Sequence, residues 1–202
     1  MIKLKQLTFL VMLIFLSTQA FSQMYVLRGG ITSSKWIYSD DAITTSVHPS
    51  FNIGGAIEFP INDNFFFEVA AYFEGKGTKV KFTDAQSKST NIHMGYIDVP
   101  FRLRFKKDMM LFKVYGSVGP YVGLAMVGET VSPDGEKTKL EWGKDAKRGD
   151  FGVSFGPGVE FNHVFVELAV NVGMANISTV PDMKTKNKSI AISVGYRFGE
   201  EY

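Results

Sequence analysis

The chain of 202 residues contains no cysteine. That excludes a disulfide scaffold, a thiolate metal centre and a cysteine nucleophile. Histidine is scarce and scattered, at His48, His93 and His163, so no His-rich metal site is expected. An excess of one charge is missing too. Lys3 and Lys5 of the first 22 residues hold two of the 22 bases, and the rest of the chain sets 20 bases against 20 acids. Nucleic-acid binders carry a basic excess on one face, so nucleic acid is excluded as a partner. No apolar run reaches the roughly 18 residues of a membrane-crossing helix.

The start of the chain reads as a leader. Lys3 and Lys5 precede ten almost unbroken apolar residues, Leu7–Leu16, and then the small, polar 17–23 (STQAFSQ). This is the charged, apolar and small-x-small order of a secretory signal, with cleavage expected between Ser22 and Gln23. An uncleaved anchor is the other reading. Ten residues of helix span only about 15 Å, half a hydrocarbon core. Residues 1–22 are therefore expected to be removed, leaving 23–202 as one exported domain.

After the leader, hydrophobicity alternates with period two. The fourth segment is the cleanest: Ile97, Val99, Phe101, Leu103 and Phe105 share one face, and Tyr96, Asp98, Arg102 and Arg104 share the other. Similar segments cover 25–32, 51–59, 65–74, 112–124, 150–161, 164–173 and 189–198. Most have the length that crosses a bilayer at a tilt. The connections then alternate short and long. Residues 60–64, 106–109 and 162–163 make short links, whereas 33–50, 75–91, 128–149 and 176–188 make long ones.

That order predicts an all-β fold, an eight-stranded antiparallel up-and-down transmembrane β-barrel with short periplasmic turns and long extracellular loops. A soluble barrel with its bulky face inward around an apolar ligand fits the parity equally well. Three features favour lipid outside. Small residues (Gly30, Gly54, Gly156, Gly158, Ser193) share the charged face, where a narrow lumen needs room. Phe59, Phe65, Phe105, Phe112, Phe161 and Phe198 gather beside the short turns, as an interfacial girdle does. Loop lengths segregate by side.

An eight-stranded barrel is barely wide enough for its own side chains. The expected lumen carries Arg28, Glu58, Glu68, Asp98, Arg102, Arg104, Lys113, Glu160, Glu167 and Arg197, with Glu74 and Asp150. Charges of both signs in a dry interior persist only when paired. A salt-bridge network centred on Asp98, Arg102 and Arg104 is expected to plug the barrel. A selective pore is the alternative.

Four segments carry a family likeness. Tyr96–Phe105 (YIDVPFRLRF) resembles the Y-[IL]-[ED]-[IV]-P strand of the outer-membrane β-barrel domain family that includes PorT-like proteins. Val114–Gly123 (VYGSVGPYVG) is similar to that family's Gly-Pro-Tyr strand, Asp150–Glu160 to its D-x-G…G-x-G-x-E strand, and Val172–Ile177 to its G-L-x-N-I segment. The resemblance spans nearly all of 24–199 and implies a small Gram-negative outer-membrane barrel of OmpA/OmpX-type architecture, in the "porin family". PorT is associated with gliding and secretion. The shared motifs are architectural and do not carry that role across.

Catalytic chemistry is nearly absent, and no enzyme activity, cofactor or metal is expected. A triad of His93 with Ser87 or Ser89 and an acid can be drawn, although His93 has lipid-facing parity. Gly152, Gly156 and Gly158 follow the strand alternation and open no helix, so they form no phosphate loop. Pro120 and Pro157 are expected to mark bulges or kinks. Lys76, Lys79, Lys81 and Lys88 make the second long loop basic, and Lys184, Lys186 and Lys188 the fourth. These are candidate contacts for the anionic phosphates of lipopolysaccharide, and solvated loop faces otherwise. Val80 and Phe82 alternate with the lysines, which predicts that the third and fourth strands continue outward as a hairpin. The expected protein is a monomer in outer-membrane lipid. Its role is structural or surface-interacting: envelope integrity, adhesion, or assistance to an envelope complex. A small solute channel, a lipid-modifying enzyme and a soluble periplasmic binder are the other classes in view.

Overall fold

A computed structural model describes residues 23–38, 43–82, 89–181 and 183–199. The leader and its cleavage site lie outside them. Ten strands follow in chain order: β1 (Met24–Tyr38), β2 (Ile43–Ser46), β3 (His48–Pro60), β4 (Phe65–Phe82), β5 (Thr90–Asp108), β6 (Lys113–Val131), β7 (Lys137–Lys139), β8 (Gly149–Phe161), β9 (Val164–Gly173) and β10 (Thr185–Phe198). Eight are long. They pair antiparallel in the order β4-β3-β1-β10-β9-β8-β6-β5, and β4 pairs with β5 to close the barrel. The short β2 and β7 extend β4 and β6 at the long-loop end.

Alternation sets which side chain goes where. In β8 every second residue from Asp150 to Glu160 is buried, while Phe151, Val153, Phe155, Val159 and Phe161 face out. The same parity runs round the wall, so the bulky apolar face lies outside, with Ile31 68% exposed. Such a surface would be untenable in water and suits hydrocarbon. At the short-turn end the outward aromatics pair up, Phe65 with Phe105 at 5.1 Å and Tyr196 with Phe198 at 4.7 Å between ring centroids.

Turn chemistry closes the short links. Asn62 Oδ1 accepts from the backbone N–H groups of Asn64 (3.0 Å) and Phe65 (2.9 Å). Asp108 Oδ1 accepts from Met110 N–H at 2.8 Å, and Met110 (φ 70°) and Asn162 (φ 54°) take the left-handed conformation that tight reversals require. The hairpin expected from Val80 and Phe82 is present, with Val80 opposite Thr90. Pro100, Pro120 and Pro157 each coincide with a gap in pairing to one neighbour, since each lacks an N–H donor. None shifts the register. The shift in the β5–β6 pair falls at Gly95/Tyr96 instead.

Candidate functional site

The inward faces fill the barrel with two ionic tiers and an apolar cap. The lower tier lies toward the short turns. Arg102 and Arg104 project from β5, Glu58 from β3, Glu68 from β4, Glu167 from β9, Glu160 from β8, Arg28 from β1 and Arg197 from β10. Arg102, Arg104, Glu58 and Glu167 are 0% exposed. Arg102 Nη1 donates across the lumen to Glu167 Oε1 at 2.8 Å, and its Nε donates to Glu68 Oε1 at 2.8 Å. Arg104 reaches Glu68 Oε2 (2.7 Å) and Glu167 Oε2 (2.8 Å) and also pairs with Glu58. Glu58 and Glu68 stand opposite one another in register, a repulsive placement that this shared guanidinium offsets. Arg28 pairs with Glu167, and Arg197 with Glu160 and, at 3.1 Å, Glu58.

Aromatic faces complete the coordination of these cations. Arg28 lies 3.6 Å over the Tyr72 ring, Arg104 4.5 Å over Tyr115 and Arg197 4.4 Å over Phe165. The rings need space. A side chain at Gly54 would collide with Tyr72, and one at Gly158 with Tyr115.

The upper tier is sparser. Lys76 Nζ lies 2.7 Å from Asp98 Oδ2 and 3.5 Å from Asp150 Oδ2. Tyr121 O–H and Asn187 Nδ2 donate to Asp150 Oδ2 at 3.0 and 2.9 Å, and Asn171 Nδ2 donates to Glu74 Oε2 at 3.2 Å. Above it, Trp36, Met94, Tyr96, Ala125 and Ile177 form an apolar cluster, with Leu140 and Trp142 packed on it. Ile177 is held there by backbone bonds to Thr185 (2.9 Å) and Lys147 (2.9 Å), so segments from two long loops pack over the upper tier.

The expected network thus separates into two parts. Arg102 and Arg104 sit at the centre of the lower one, while Asp98 belongs to the upper one. Lys113 is half-buried at the short-turn mouth, opposite Glu160 in register, beside a recess of about 660 Å³ that Arg197 also lines. The expectation for Lys76 is corrected. It is 1% exposed inside the lumen and not on a loop surface. The alternation simply continues past Gly75, so Glu74, Lys76 and Thr78 all point in. Lys106, read as a turn residue, is likewise buried, with Nζ 3.1 Å from Glu58 Oε2. Extending each strand's parity by two residues would have found both.

The remaining lysines stay outside. Lys79, Lys184 and Lys186 are exposed and Lys188 is half-buried, all four clear of the lumen. The backbone of Lys81 pairs with Thr44, and its side chain, like Lys88 and Ser87, lies outside the described residues. His93 packs edge-to-face on His48, ring centroids 4.2 Å apart, on the outer wall. Burial, His93 and Lys79 together hold the His48 imidazole below its usual range. Among the described residues no group of three His, Cys, Asp or Glu is placed to hold a metal.

A model of the outer membrane protein beta-barrel domain matches residues 21–179. The chain belongs to that family. It is an outer-membrane protein of the Gram-negative envelope, with its short turns periplasmic and its long loops outside. OprG from Pseudomonas aeruginosa is similar in structure, with a TM-score of 0.54 at 15% identity over 89% of this chain and 98% of that one. That likeness shows the fold alone. Ail, the attachment invasion locus protein of Yersinia pestis, aligns at a TM-score of 0.46 and 15% identity over 88% and 99% of the two chains. Neisserial surface protein A aligns at 0.47 and 16% over 87% and 97%. Among curated proteins, none matches this sequence.

Proposed function

We propose that this barrel is a non-enzymatic, monomeric anchor whose external loops serve envelope integrity or contact with a surface partner, and that its lumen does not conduct. The observation that carries this reading is the lower tier: two guanidiniums from β5 bridge to Glu167 on β9, straight across the lumen, with no exposed surface. Water and solutes have no lane between them. The part free to interact is the long-loop end, where β4, β5 and β6 extend beyond the wall and β2 and β7 add two short ladders.

Complementation of a deletion strain tests it. A chain lacking 132–148 is expected to fold yet fail to restore resistance to detergent and large antibiotics, whereas Arg102→Lys restores it. Loss of small-solute uptake in the deletion strain, rescued by the loop-shortened chain, would instead support a channel.

A further inference from the structure

Three lysines converge on one sector of the outer wall. Lys35 of β1 stands directly opposite Lys188 of β10, and Lys186 stands opposite Ile37 one step farther out. Their neighbours Ser34, Trp36, Asn187 and Ser189 are buried, while Ile37 and Ile190 face out, so all three lysines lie on the lipid-facing parity. Like charges directly opposite across a ladder repel. Among the described residues no carboxylate lies within ion-pair distance of any of the three. Among the described residues the sector therefore holds unbalanced positive charge.

Its height matches a particular layer. Along β10, Lys188 lies ten residues above the outward Phe198, about 26 Å of vertical rise at ~3.4 Å per residue and a ~40° tilt. An apolar band is about 25 Å tall, so it ends where the lysines begin. Below them the wall is furrowed. Outward Gly29 lies between Ile53 and Val194 in register, and outward Gly55 lies beside Leu27. Ile31, Ile190 and Ile192 project around this furrow.

We infer that this sector seats one outer-leaflet glycolipid with a phosphorylated sugar head, the chemistry of lipid A. Its phosphates meet Lys35, Lys186 and Lys188, and an acyl chain lies along the furrow of Gly29 and Gly55. Phosphates supply the negative charge that the described residues around these lysines do not, and lysine is a sound phosphate binder as a point charge. The apolar shelf below gives the same molecule a second point of attachment.

Native mass spectrometry of the refolded barrel titrated with bis-phosphorylated lipid A tests this. The wild type is expected to retain the lipid. The triple variant Lys35→Gln, Lys186→Gln, Lys188→Gln is expected to bind on the order of a hundredfold more weakly, since each lysine near the surface contributes about a factor of five. The matching triple arginine variant retains binding, Lys79→Gln is unchanged, and a heat-modifiable gel band verifies that each variant is folded. Retention by the triple glutamine variant, equal binding of dephosphorylated lipid A, or displacement by equimolar inorganic phosphate would each overturn the inference.

Discussion

The lower and upper tiers of the lumen are both ionic, yet they are built differently. Below, four carboxylates (Glu58, Glu68, Glu160, Glu167) meet four arginines and Lys106. Above, Lys76 is the one lumenal cation among the described residues, set against Glu74, Asp98 and Asp150. Guanidinium offers five donors in a planar fork and bridges several carboxylates at once. Ammonium is a compact point charge, and Asp150 and Glu74 draw further hydrogen bonds from Tyr121, Asn187 and Asn171. The lower tier is thus a cross-braced mesh from which no member can be withdrawn cheaply. The upper tier is a loosely neutralised polar layer kept from water by the apolar cap.

The sharpest way to break this contrast is to remove the hub of the mesh. Glu167→Ala strips Arg28, Arg102 and Arg104 of a shared partner and is expected to cost about 3–5 kcal/mol, the usual penalty for orphaning buried charge. Urea unfolding of the refolded barrel measures it, and a loss below about 1 kcal/mol would mean that the mesh is slack. A matched pair of neutralisations comes next. Glu68→Gln should cost roughly 2–3 kcal/mol, because two arginines lose a charged acceptor. Asp98→Asn should stay within about 1 kcal/mol of wild type, since it lowers the charge of a tier already rich in carboxylates. Equal costs would erase the distinction between the tiers.

The cap should respond locally. Ile177→Ala opens a cavity over the upper tier, and a loss of about 2 kcal/mol is expected. The readout is faster external proteolysis of the 174–184 loop, with the barrel's heat-modifiable mobility unchanged. Smallest is a pH effect at the outer rim. His48 has its folded pKa below the ordinary 6.5, so the unfolded chain binds the extra proton first. Stability is full above that value and falls as pH drops through it toward the folded pKa. His48→Gln should flatten this slope at pH values below about 6.5, and an unchanged slope would assign it to another group.

The barrel was readable in the sequence because lipid outside and a narrow lumen inside force strict alternation. Residues such as Phe101, Arg102, Leu103 and Arg104 leave no doubt about their sides. Loop lengths supplied the topology. The signal failed at strand ends. Gly75-Lys76-Gly77 and Lys106-Lys107-Asp108 have the composition of loops, yet the ladders run through both and carry Lys76 and Lys106 inward. The division into two tiers depends on which strands face across the lumen, as Arg102 on β5 faces Glu167 on β9, and pairwise alternation does not encode that. Nor does it encode the cap, because Trp142 and Ile177 come from different loops and meet only through tertiary packing.

Whether the mesh closes the lumen is decided most directly by planar-bilayer recording. Purified wild-type barrel is expected to give no steady single-channel conductance, and Arg102→Ala with Arg104→Ala, if folded, is expected to give a small steady one. Steady conductance from the wild type would contradict a closed lumen.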